Sequence, residues 1–250
     1  MWPIPEAISA RAPADTRIYA IGDIHGCDGL LGKLLGLIQA DAAAAPEARK
    51  LLVYLGDYVD RGPDSAAVVE RLTRDSPAEF EAVFLMGNHE DLMVNFLADP
   101  AAGRSWLMNG GRETAASYGV STADIRHGGA AELGKLGTMR QALNANLPAS
   151  HRAFLDTLVP FHREGDYLFA HAGIRPGVPL AEQRGEDFLW IRGPFLSSPE
   201  DHGAVVVHGH TPVDAVEFRF NRVNVDTGAV WTGRLTALVL HGEERHLIQT

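Results

Sequence analysis

An α/β fold is what the sequence predicts, and three observations predict it. Short apolar runs alternate with leucine-spaced stretches through the first part of the chain, and the runs are continuous, as in strands buried on both faces of a parallel sheet. The final third changes to a succession of strand-like runs between turn residues. Between these parts, residues 100–158 are rich in Ala, Gly and Leu with no clear strand, and read as a mainly helical insertion.

The elements follow in order. Residues 1–16, rich in Pro and Ala, are expected to be extended, and they lack the basic start and apolar run of a signal peptide. Arg17–Ile21 is the first strand, and Leu30, Leu31, Leu34, Leu35 and Ile38 mark a helix from Leu30 to Gln39. Leu51–Leu55 is the second strand. A helix follows through Val68, Val69 and Leu72, with Pro63 suited to its first turn and Asp64 or Ser65 able to cap it. Phe80–Met86 is the third strand and Glu90–Leu97 the third helix. Beyond the insertion, Tyr167–Ala170, Ala204–Val207, Arg222–Val225 and Leu235–Leu240 read as strands, with Gly203 and Asp226-Thr227-Gly228 as turn signals. No repeat, low-complexity tract or flexible linker divides the chain, so residues 1–250 are expected to form one domain.

The totals restrict the function. A formal charge of -10 argues against a nucleic-acid-backbone binder and against a basic membrane-surface protein. It leaves a phosphate ligand open, because local cations reverse the sign inside a cleft. Cys27 is the only cysteine, which excludes an intrachain disulfide and suits a reducing compartment. With no apolar stretch of membrane-spanning length, the expectation is a soluble, cytoplasmic protein.

Five short motifs carry the chemistry, each just after an expected strand end: Gly22-Asp23-Ile24-His25-Gly26, Gly56-Asp57-Tyr58-Val59-Asp60-Arg61-Gly62, Gly87-Asn88-His89-Glu90, His171-Ala172-Gly173 and His208-Gly209-His210-Thr211. Any one alone would pass as a Gly-Asp turn. Together they offer carboxylate, amide oxygen and imidazole nitrogen without thiolate, a donor set for two divalent cations that activate water. In open α/β sheets ligands bind beyond the carboxyl ends of strands, where these motifs fall.

The first three motifs, intact and in order, resemble the signature of the phosphoprotein phosphatases, a branch of the calcineurin-like metallophosphoesterases. His171-Ala172-Gly173, Trp190-Ile191-Arg192, Gly209-His210-Thr211-Pro212 and Asp226-Thr227-Gly228-Ala229-Val230 look like the small bacterial and phage members, so the resemblance runs from about Arg17 to Leu240. It implies a sandwich of mixed β-sheets flanked by helices. Pro212 stands where nucleases and cyclic-nucleotide phosphodiesterases of the wider superfamily carry a second histidine, which favours the phosphatase branch.

The resemblance also implies roles. Asp23, His25 and Asp57 would hold one metal, and Asp57, Asn88, His171 and His210 the other, with Asp57 bridging. Manganese is the first expectation, with iron, zinc or cobalt as alternatives. A metal-bridging hydroxide would attack phosphorus, His89 would protonate the leaving alkoxide, and Asp60 would orient His89. Arg61 and Arg192 would clamp the phosphoryl oxygens bidentately. The blander alternatives are a surface pair between Asp60 and Arg61, and a solvated loop position for Arg192. His208 is expected in the wall behind the ligands rather than as a ligand, and Cys27 as a packing residue. The remaining histidines are taken as surface or core residues.

The expected activity is hydrolysis of phosphoserine or phosphothreonine, extending to phosphotyrosine and small aryl phosphates. The substrate is then a phosphorylated protein or a small phosphoester held in a shallow, permissive site. Symmetrical diadenosine tetraphosphatase is the alternative: those enzymes share the first motif, Gly-Asn-His and Asp-Thr-Gly, but usually lack an acidic residue at the position of Asp60. An inactive phosphate- or protein-binding module is disfavoured because no ligand is missing.

Overall fold

The computed structural model describes residues 10–46, 48–74, 79–126, 128 and 131–250. The first nine residues of the expected extended segment, and His127, lie outside them. The first half is β1 (Thr16–Ile21), α1 (Asp28–Ala42), β2 (Arg49–Tyr54), α2 (Ser65–Arg74), β3 (Phe80–Phe84) and α3 (Asn88–Ala98). The insertion contributes α4 (Gly103–Trp106), α5 (Arg112–Ser117), α6 (Glu132–Asn146) and α7 (Ala149–Asp156). Then come β4 (Phe161–Glu164), β5 (Tyr167–Ala170), α8 (Gly185–Trp190), α9 (Gly193–Leu196) and β6 (Val205–His208). The chain continues through β7 (Glu217–Phe218), β8 (Arg222–Asn224), α10 (Ala229–Thr232), β9 (Thr236–His241) and β10 (Glu244–Gln249).

These strands form two sheets, ordered β10-β9-β1-β2-β3 and β4-β5-β6-β8-β7. Period-two alternation divides the side chains of each strand between two layers. On β1 and β2, Tyr19, Ile21, Leu52 and Tyr54 pack under α1, α2, α3 and the insertion. Their neighbours Ile18, Ala20, Leu51 and Val53, with Leu238 of β9, face the second sheet, meeting Tyr167, Phe169, Val205, Val207 and Val223. The far face of that sheet, Leu168, Ala170 and Val206, is closed by Phe188, Ile191 and Phe195 of α8 and α9. Four layers result, helix–sheet–sheet–helix. Each fully buried aliphatic side chain contributes roughly 1.5–3 kcal/mol, so the inter-sheet core fixes how the two sheets meet.

The first three strands are parallel, as their alternation with helices predicts, and the sheet as a whole is mixed, as the resemblance implies. β1 pairs in parallel with β2 and β2 with β3, but β9 runs antiparallel to β1 and β10 antiparallel to β9. No helical crossover separates β9 from β10; a turn with Gly242 at φ 56° joins them as a hairpin. Both faces of the first sheet are covered as expected, one by helices and the other by the second sheet. β4, β7 and β10, unpredicted, are edge or hairpin strands whose charges interrupt the apolar pattern, as edges that resist aggregation do. α3 begins at Asn88 rather than Glu90, which puts Asn88 and His89 in its first turn. Among the described residues no helix is long and apolar enough to cross a membrane.

β1, β2 and β3 are parallel, as are β5, β6 and β8. The loops carrying Asp23, Asp57, Asn88, His171, His210 and Asp226 therefore leave strands at their carboxyl ends, three from each sheet.

Candidate metal centre

Two loops are locked together first. The backbone carbonyl of Asp57 accepts from the N–H groups of Ile24 (3.0 Å) and His25 (2.8 Å), tying the second motif to the first. The Asp57 turn is held from the other side by Glu90, whose carboxylate accepts from the backbone N–H of Asp57 (2.9 Å), Tyr58 (2.8 Å), Val59 (3.1 Å) and Gly87 (3.1 Å). These bonds order a turn in which Asp57 itself has a φ of 54°. Gly87 has no alternative, because a Cβ there would overlap the Asp57 backbone and carboxylate.

Two triads converge on Asp57: His25, Asp57 and His89, and Asp57, His171 and His210, each with one ligand atom per residue within 4.8 Å of the others. In the second, His171 Nδ1 donates to the Leu55 carbonyl at 2.8 Å, leaving the Nε2 lone pair to face Asn88 Oδ1 at 2.9 Å and Asp57 Oδ1 at 3.3 Å. His210 Nδ1 lies 2.8 Å from the same Asn88 oxygen. In the first triad His25 Nδ1 donates to the Val59 carbonyl at 3.0 Å, which turns its Nε2 towards Asp57 Oδ2, 3.5 Å away.

Burial disfavours protonation of these imidazoles, driving His25 down to about 3 and lowering His171 and His210 as well. Asp57 is buried too, which works against its charge. The imidazoles of His171, His89, His25 and His210 outweigh that and hold its carboxyl below the usual range. Oxygen and nitrogen donors of Asp57, Asn88 and the histidines thus converge on one small space, an arrangement that divalent cations satisfy. The donor set fits a pair of such ions.

Asp23 belongs to neither triad. Its two carboxylate oxygens accept from the His210 backbone N–H at 3.2 and 3.0 Å. Burial, then the nearby carboxylates of Asp226 and Asp57, push it well above the usual carboxylate value, and burial pushes Asp226 up to about 6. Two buried acids side by side call for compensating positive charge.

His89 is built differently from the other histidines. Its Nδ1 bonds Asp60 Oδ2 at 2.8 Å, while Nε2 is buried without a partner and lies 3.8 Å from Asp57 Oδ2. Burial disfavours its protonation, but Asp57 and the bond to Asp60 outweigh burial and raise it. Asp60 is fully buried and is no surface partner of Arg61. The insertion, helical as its composition predicts, supplies its other side-chain partners. Trp106 Nε1 donates to both Asp60 oxygens at 3.1 and 3.0 Å, and Thr114 Oγ1 to Oδ1 at 2.6 Å. Removing one donor leaves a buried carboxylate under-bonded. Trp106→Phe, which keeps the ring and loses the N–H, is therefore expected to lower stability by about 1–3 kcal/mol in urea unfolding.

Arg61 donates to His25 Nε2 at 2.6 Å, with its guanidinium 5.2 Å from the centroid of the Trp231 ring. Arg192 is exposed and donates to Thr211 Oγ1 at 3.0 Å, beside the second triad. His208 points away from the ligands, into the outer layer. It packs 5.1 Å from the Phe195 ring and lies 3.5 Å from Arg222 Nη1. Burial and Asp64 raise the Cys27 thiol, which disfavours its nucleophilic thiolate form. All non-glycine residues with positive φ among those described, His25, Asp57, Asp60, Arg61 and His210, belong to this cluster.

The calcineurin-like phosphoesterase profile matches residues 16–233. An asymmetrical bis(5'-nucleosyl)-tetraphosphatase from Anoxybacillus flavithermus is 31% identical over 237 residues, spanning 87% of this chain and 88% of that protein. Its namesake from Halalkalibacterium halodurans is 28% identical, spanning 87% of each chain. Among solved structures, one described as a candidate diadenosine tetraphosphatase superposes with a TM-score of 0.61 at 22% identity, over 96% of this chain and 98% of its own. A cold-active protein tyrosine phosphatase gives 0.55 at 18% identity, over 95% and 81%. At these identities the structural likeness speaks for the fold alone.

Proposed function

Since the chain belongs to the calcineurin-like phosphoesterase family and is a metal-dependent hydrolase of phosphoester bonds, we propose that its two triads share one reaction centre at Asp57. Asp23, His25 and Asp57 would hold one divalent cation, and Asp57, Asn88, His171 and His210 the other. When bound, the two ions would acidify a water and offset charge on the phosphoryl oxygens. Manganese is placed first; iron, zinc and cobalt suit the same donors.

The chain's own residues do the rest. His89 delivers the proton on Nε2 to the leaving oxygen, from an imidazole fixed by Asp60 through Nδ1. Burial pushes the Asp60 carboxyl up, and the bonds from His89, Thr114 and Trp106 work against that rise. Arg61 and Arg192, one beside each triad, orient the phosphoryl group. The observation that carries this reading is the sharing of Asp57 by both triads.

Two substrate classes fit the centre and differ in what lies beyond the phosphoryl group. The acid dyad suits phosphoserine and phosphothreonine, whose alkoxide leaving group needs a proton. Dinucleoside tetraphosphates are favoured by the names of the relatives, which are asymmetrical tetraphosphatases, whereas the alternative weighed from the sequence was a symmetrical one.

Metal-stripped protein is expected to be inactive and to recover with Mn²⁺ on phosphopeptides, p-nitrophenyl phosphate or diadenosine tetraphosphate. Turnover that survives chelation untouched would sink the metal mechanism. A hundredfold difference in kcat/KM between the classes, about 2.7 kcal/mol of transition-state binding, would name the substrate.

A further inference from the structure

Tryptophan is costly to leave in water, since its ring carries roughly 150–250 Å² of largely apolar surface. Trp106 follows that rule and is fully buried, whereas Trp190 and Trp231 are 39% and 63% exposed. Both exposed rings border the metal centre. The Trp231 ring lies 6.5 Å from the ring of His25 in the first triad, and the Trp190 ring 5.9 Å from that of His210 in the second.

Each flank also carries an arginine. The Arg61 guanidinium stands 5.2 Å from the Trp231 centroid. Arg192 follows Trp190 by two residues and donates to Thr211 Oγ1 at 3.0 Å, beside the second triad. One exposed indole and one cation thus recur on either side of Asp57.

Neither ring hangs on a loose loop. Trp231 sits on α10, whose start is fixed by the Gly228 N–H donating to Asp226 Oδ1 at 2.9 Å. Trp190 ends α8, which Phe188 and Ile191 bury on either side of it.

We propose that Trp231 and Trp190 are stacking platforms for two nucleobases, one on each flank of the centre, and that nucleoside polyphosphates are the substrates using the whole site. The assignment rests on the phosphoesterase reading above. A phosphoserine peptide brings an anion and no ring, and an aryl phosphate brings one ring. A dinucleoside polyphosphate brings an aromatic base at each end of a polyanion, which matches a centre of cations with an indole on each flank. Stacking on an aromatic side chain tolerates any base, so the platforms favour the class rather than one nucleoside.

The test compares diadenosine tetraphosphate with inorganic tetraphosphate, which lacks the bases, on the full-length Mn²⁺-loaded protein. Each of Trp231→Ala and Trp190→Ala is expected to lower the ratio of the two kcat/KM values by about tenfold or more, while Trp231→Phe and Trp190→Phe keep most of it. Calorimetric binding of both ligands is measured in parallel. Loss of the binding preference in the alanine variants supports the platforms even if no protein turns over, a result that would count against the hydrolase reading alone. A wild type that shows no preference for the base-bearing ligand, or alanine variants that keep it intact, overturns the proposal.

Discussion

His89→Ala is expected to cut turnover of an alkyl phosphoester by about 10²–10⁴-fold while the metal content stays near that of the wild type. The reason lies in how the two ring nitrogens are used. Nδ1 is committed to Asp60 at 2.8 Å, and Nε2 is buried, unpartnered and turned towards the cluster. Two of the histidines assigned as ligands show a different pattern: His25 and His171 each donate Nδ1 to a backbone carbonyl, which frees Nε2 as a lone pair. Asp60 instead stabilises the protonated form of His89. The loss should shrink for p-nitrophenyl phosphate, whose leaving group needs little protonation. Geometry alone would let His89 complete a triad with His25 and Asp57. Elemental analysis of the purified variant decides between acid and ligand, and a loss of metal equal to that of a ligand variant would end the acid assignment.

Asp57→Asn should behave in the opposite way, losing metal and activity together. The substitution keeps the shape and removes the one negative charge common to both triads. Changing groups that merely support metal ligands typically costs 10–100-fold in affinity, and the loss of a shared ligand charge should exceed about 100-fold. The metal-free variant should also melt below metal-free wild type, because the surroundings hold the Asp57 carboxyl below its usual range and so favour the charge that the substitution removes. Elemental analysis with thermal melts in chelator checks both halves. An Asp57→Asn protein that retains both ions would show that Asp57 is not the shared ligand.

How much of this was legible in the sequence depended on distance along the chain. Asp23, His25, Asp57, Asn88, His171 and His210 could be read because each follows an apolar run within a few residues, beside a glycine that permits the turn. Glu90 stood in a recognised motif, yet its partners are backbone N–H groups 31 to 33 positions away, which no side-chain pattern reports. Trp106 and Thr114 were invisible for the same reason. They reach Asp60 across 46 and 54 positions, from a segment whose Ala- and Gly-rich composition suggests only helix. The central strands were legible through continuous burial, whereas β4 and β10 were not, because exposed edges mix charge with apolar residues. His208 showed the limit of spacing arguments. Two residues apart on an extended run suggests one face, but the chain leaves β6 at His208 and His210 adopts a φ of 65°, so the two rings part.

The left-handed backbone at His25, Asp57, Asp60, Arg61 and His210 bears on how this protein can change. Each such residue costs on the order of 1–2 kcal/mol relative to glycine, and together they rival the 5–15 kcal/mol that holds a typical domain folded. Function and folding therefore pull these positions in opposite directions. A population of variants selected only for surviving heat would drift first at these residues, trading ligands and clamps for glycine, and would reach a sturdier protein with no chemistry left.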